Sequence, residues 1–123
     1  MAHPLRRTEP APPPITGIFA ILTVKPGIAR EQVMNVMPAE VRHTAQLYLN
    51  GKIREWYSRG DGRGAIFLLA TDDVVEASAI MDDLPLAKEG LIDHEHIPVG
   101  PLFPLRLLMG ESGAPTLERG DSR

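Results

Sequence analysis

Cysteine is absent from the chain, which excludes disulfides, thiolate metal sites and cysteine nucleophiles. No apolar run reaches the roughly 20 residues that a membrane span requires. The start, MAHPLRRTEPAPPP, carries two arginines but no apolar h-region before its prolines. The expectation is a soluble cytoplasmic protein with no membrane partner. Excess positive charge is missing too: 13 Lys+Arg stand against 16 Asp+Glu, a net charge of −3, which argues against a basic surface for nucleic acid or anionic lipid. Serine is sparse and no Gly-X-Ser-X-Gly occurs, so a hydrolase triad has no support. The glycine-rich run Gly60-Asp61-Gly62-Arg63-Gly64 is followed by neither a helix pattern nor Gly-Lys-Ser/Thr, and it reads as a turn rather than a phosphate loop.

What is present suits one small core. Of 123 residues, 43% are hydrophobic, and about 90–100 remain to fold once the proline-rich start and polar end are set aside. Residues 1–14 read as a disordered Pro-rich arm, 15–109 as the domain and 110–123 as a flexible tail. Ile15–Val24 is a nearly continuous apolar run of strand length. From Ala29 to Asn50 the period becomes helical, with Val33, Met37, Val41, Thr44 and Tyr48 in register. Pro38 predicts a kink or a restart there, and Asn50-Gly51 a C-terminal cap. Ile53–Tyr57 and Ala65–Ala70 read as a hairpin about the glycine-rich turn. Asp73–Asp83 reads as a second helix, capped by Thr71 or Asp72 and stopped by Pro85. Leu91–Val99 alternates as a last strand. The apolar Pro101–Met109 run is expected to cover a partner subunit or a sheet edge. Strand, helix, strand, strand, helix, strand is the βαββαβ order of ferredoxin-like α+β domains with an antiparallel sheet. Helices on one face leave the other apolar face open, so a homodimer is expected.

The hairpin and the segment MDDLPLAKEGLIDHEHIPVGPL extend the comparison to a family. Together with the long helix ending in glycine they resemble the muconolactone isomerase-like group of dimeric α/β-barrel proteins, over roughly Ile15 to Leu108. The resemblance implies two sheets paired into a barrel, helices outside, and a ligand cleft between helix and sheet. It also implies a cofactor-independent proton shift on a small unsaturated lactone or related oxygen-rich or aromatic metabolite. Cofactor-free oxygenation or cyclisation of a polyketide-like phenol is the alternative among relatives of this barrel, and a non-catalytic ligand-binding dimer is a third possibility.

Moving a proton between carbons through a dienolate needs a base of tuned pKa and a donor facing the oxyanion. His94 and His96 lie two apart on the last strand and share a face. Glu40 and His43 lie three apart on the first helix, either as an acid/base pair or as a solvated helix edge. These four are the candidate catalytic residues. Tyr48, Arg54, Trp56 and Tyr57 are candidates for binding substrate: Trp56 and Tyr57 as a pocket floor or as core, Tyr48 as an enolate partner or as core, and Arg54 as an enolate partner or one half of a cross-strand pair. His-X-His also suits a metal, but only if the first helix lies over that strand and Glu40 or His43 completes the site; no metal and no cofactor is the expectation.

Overall fold

The antiparallel pairing of four strands organises the chain, and a computed structural model describes it over residues 14–102. The proline-rich start, the tail and the apolar run from residue 103 onward lie outside the described residues. Within the compact unit Ile15–Val99 the elements are β1 (Gly17–Val24), α1 (Arg30–Leu49), β2 (Ile53–Ser58), β3 (Gly64–Leu69), α2 (Val74–Asp82), α3 (Pro85–Lys88) and β4 (Ile92–Val99). The sheet order is β2-β3-β1-β4, with every neighbouring pair antiparallel. This is an α+β architecture with one four-stranded sheet and three helices, compatible with the expected ferredoxin-like arrangement. No helix among the described residues is long and apolar enough to cross a membrane.

Strand parity decides which side chains enter the core. Ile18, Ala20 and Leu22 of β1 are buried and stand opposite Leu69, Phe67 and Ala65 of β3. Ala77 and Met81 of α2, with Leu84 and Leu86, cover them. The opposite parity, Phe19 and Ile21 with Ile66 and Leu68, stays half-exposed, and Tyr57 and Ile97 at the flanks are 52% and 49% exposed. One sheet face is therefore core, and the other is an apolar face left open among the described residues.

The helix ends follow local chemistry. At the start of α1 the Gln32 side chain accepts a hydrogen bond from the Ala29 N–H at 2.9 Å. At its end Gly51 takes φ +79°, and the Gly51 and Lys52 N–H groups close back onto Tyr48 and Leu47 carbonyls. Asp73 caps α2 by accepting from the Val75 N–H at 2.9 Å. Thr71, one step further out, orients that cap by accepting from the Asp73 N–H and donating to Glu76. Between α2 and β4 the chain forms the single-turn helix α3, with Pro85 at its first position.

Pro38 neither breaks nor restarts α1, which runs unbroken through it. Pro38 lies on the exposed side, as does Met34, whose carbonyl loses its intrahelical donor, so water can satisfy that oxygen. A second irregularity sits in β2. Ile53 pairs with Leu69 but Glu55 with Leu68, so Arg54 is an extra residue that shifts the register. The Arg54 Nη1 lies beside Gly17, next to Leu68, and is thus on the open face rather than the face of Trp56. Strict alternation would place Arg54 beside Trp56; the bulge is the reason it is not there.

Candidate functional site

The inward row of α1 does not close onto the sheet. Its only buried residues are Glu40 and Thr44, both polar, while Val33, Val36, Met37 and Leu47 are half-buried. A cavity of about 440 Å³ lies between this helix and the sheet, within the usual range for small-molecule sites. Val33, Met37 and Val41 line it from α1, and Leu22, Phe67 and Trp56 from the strands. Leu86 and Ile92 also line it, as do Ser58, Gly62 and Gly64 around the β2–β3 turn.

Glu40 is the buried acid in this apolar wall. It is 6% exposed, and its Oε1 accepts the Leu86 N–H at 2.9 Å. Burial pushes its pKa above the ordinary carboxylate value of 4.5; the Leu86 donor and the nearby His43 pull in the opposite direction but do not cancel the effect. Thr44, one turn on, spends its hydroxyl on the Glu40 and Val41 carbonyls at 3.0 and 3.2 Å, so it stabilises the helix rather than the acid.

The aromatic candidates divide as their parity predicts. Trp56 faces the helices opposite Phe67 and lines the cavity. Tyr48 stacks on it, with ring centroids 4.4 Å apart and planes 9° from parallel, tying α1 to β2. Tyr48 does not itself line the cavity. Tyr57 borders the cavity, but it pairs with Ile66, and its hydroxyl donates to the Glu55 carboxylate, which raises the phenol pKa.

The four candidate catalytic residues fall into two separate groups. His43 stays half-buried near Glu40 without reaching the cavity wall. His94 and His96 share the helix-covered face, with rings 4.9 Å apart, but the cavity touches β4 only at Ile92. They lie instead beneath α2, where His94 Nε2 meets Asp82 Oδ1 at 2.9 Å. His94 Nδ1 and His96 Nε2 are buried without a hydrogen-bond partner among the described residues. Burial, then the neighbouring His94, holds the His96 pKa below 6.5. Among the described residues, no group of three or more histidine, aspartate or glutamate side chains is arranged to hold a metal ion.

Composition and spacing do not single out Arg59, which has a structural role. Its guanidinium holds both oxygens of Asp61 and reaches Thr23 Oγ1 of β1, while the Arg63 N–H also donates to Asp61. These bonds lower the Asp61 pKa, first through Arg59 and then through the Arg63 N–H. They fix the turn that borders the cavity.

No protein-family model and no curated protein matches this chain. Fold and site define the class on their own terms: an α+β domain with one antiparallel sheet, carrying an apolar cavity that holds a single buried carboxyl.

Proposed function

We propose that the protein is a cofactor-independent acid/base enzyme that shifts a proton on a small unsaturated lactone or related oxygen-rich or aromatic metabolite, as the resemblance to muconolactone isomerase implies. The observation that carries this reading is the Glu40 carboxyl, 6% exposed in an apolar cavity. A carboxyl with a raised pKa is a stronger base when ionised and a competent donor once it holds the proton. In this mechanism Glu40 removes a proton from a carbon next to the unsaturated system, leaving a dienolate, and returns it to a different carbon. Ser58, whose residue borders the cavity, supplies the hydroxyl for the developing oxyanion. The base is thus assigned to Glu40 rather than to His94 or His96, which do not line the cavity.

The test is proton NMR in D₂O with a butenolide, following deuterium entry at the ring carbons. Protein-dependent exchange that disappears in Glu40→Gln supports the assignment; exchange that survives in that variant removes it. The apolar walls and the Trp56 ring also favour a second reading, oxygenation or cyclisation of a polyketide-like phenol. Oxygen consumption with an enolisable phenol separates oxygenation from the isomerase chemistry.

The proposal includes a homodimer joined through the open face, with a second copy covering Phe19, Ile21, Ile66 and Leu68. Sedimentation at micromolar concentration should give a dimer for the wild type and a monomer with an unchanged circular dichroism spectrum for Ile66→Glu. A wild-type monomer at that concentration overturns the arrangement.

A further inference from the structure

We infer that the ligand of the Glu40 cavity is uncharged, a ring compound with one or two neutral oxygen functions and no carboxylate or phosphate. The inference deepens the proposed function, because it concerns the same cavity, but it rests on the walls and not on the catalytic role of Glu40. Among the described residues no lysine, arginine or histidine lines this cavity, and the ionisable residues along it are Glu40 and Tyr57.

Among the described residues, cationic side chains on the elements beside the cavity are engaged elsewhere or stay off its wall. Arg59 is held by Asp61 at 2.6 Å and by Thr23. Arg54 lies on the open face beside Gly17. His43 does not reach the wall, and Arg63 contributes nothing to it although Gly62 and Gly64 on either side do. An anionic ligand would leave water for a wall of Leu22, Val33, Met37, Phe67 and Leu86 with no counter-ion among the described residues, beside a carboxyl that itself becomes negative. Removing a charge from water without a partner is strongly unfavourable. A neutral ring meets none of these costs. It buries apolar surface against the same side chains and the Trp56 ring, and its oxygen finds the carboxyl of Glu40 as donor or acceptor.

The inference narrows the substrate. A lactone whose side arm ends in a carboxylate, as in muconolactone itself, fits these walls worse than a neutral butenolide or a phenol.

The experiment compares 2-naphthol with 2-naphthoate, which share a ring system and differ in charge at pH 7. Each is titrated into the full chain by calorimetry, with methyl NMR shifts of Val33 and Leu86 locating the complex. The expected result is naphthol binding tighter than naphthoate by roughly 100-fold or more, with naphthoate gaining affinity as the pH falls and its carboxylate is protonated. Methyl 2-naphthoate, the neutral ester, should bind like naphthol. Equal or tighter binding of naphthoate, or no binding of naphthol at these methyls, overturns the inference. Glu40→Gln separates this from the catalytic reading. Glu40 adds its own charge to the rejection of an anion, so that variant should keep a reduced preference for naphthol from the apolar walls; loss of exchange with naphthol still bound at these methyls bears on the base alone, and a preference abolished outright in the variant overturns the assignment to the walls.

Discussion

Glu40→Gln should slow deuterium entry into a neutral butenolide by about 10²–10⁴-fold, the range expected when a positioned acid/base group is removed. Glutamine keeps the shape of the side chain and can still accept the Leu86 N–H, so the cavity persists while the proton carrier is lost. The pH profile gives a second readout. Wild-type kcat/KM should rise with pH through the raised Glu40 pKa as the carboxylate forms, and the residual rate of the variant should lack that step. Stability should move the other way. The folded pKa of Glu40 lies above its unfolded value near 4.5, so the folded state binds the proton more tightly. The stability contributed by the protonated acid is fully present below 4.5 and is lost as pH rises through the folded pKa. Thermal unfolding of wild type and Glu40→Gln across this window should therefore show the variant gaining on the wild type as pH increases. His96 has the opposite sign, since its folded pKa is depressed and stability falls as pH drops below 6.5. It is common to both proteins, so their difference isolates Glu40. A difference independent of pH would mean that Glu40 is not titrating in a buried site.

The second large effect is on the sheet. Gly64 opens β3 at φ +156° and stands opposite Thr23 of β1, where a Cβ would come 1.9 Å from the Leu22 carbonyl oxygen and 2.8 Å from its carbon. Those atoms are backbone and cannot rotate away. Gly64→Ala must therefore push β3 off β1 or abandon its dihedral angles, and a loss of about 3 kcal/mol or more is expected. In a domain of this size each kcal/mol moves Tm by roughly 4–8 °C. Gly60→Ala, four residues away in the same turn, is the control: a Cβ there meets nothing within 4 Å, and its effect should stay within about 0.5 kcal/mol. Urea denaturation of both variants decides the matter. A small effect at Gly64 would show that the β1–β3 pairing is not tight at this end, and because Gly64, Ala65 and Leu22 border the cavity, the walls of the site would be equally loose.

Legibility in the sequence divides along a physical line. Periodicity, caps and turns are local, so the chain itself carries the order of the strands and the two longer helices, the shared face of His94 and His96, the opposite faces of Trp56 and Tyr57, and the glycine cap after α1. The Glu40 and His43 pair was legible only as an ambiguity, because spacing of three places them on one side of a helix without saying how deep that side lies. The Arg54 bulge left no local mark, since an extra residue in a strand is defined by the strand beside it.

The tertiary structure decided which candidates meet. Strands adjacent in sequence are not all adjacent in space: with the order β2-β3-β1-β4, β2 and β4 occupy opposite edges. Helix α1 packs toward β2 and brings Glu40 to the Trp56 side, whereas α2 packs toward β4 and brings Asp82 to His94. The sequence by itself determined which residue types share a face wherever no bulge intervenes, because a backbone's own repeat dictates that; Arg54 is the exception. It could not determine that the acid and the histidines belong to different sites, because the sheet order that separates them is set by pairing between distant segments.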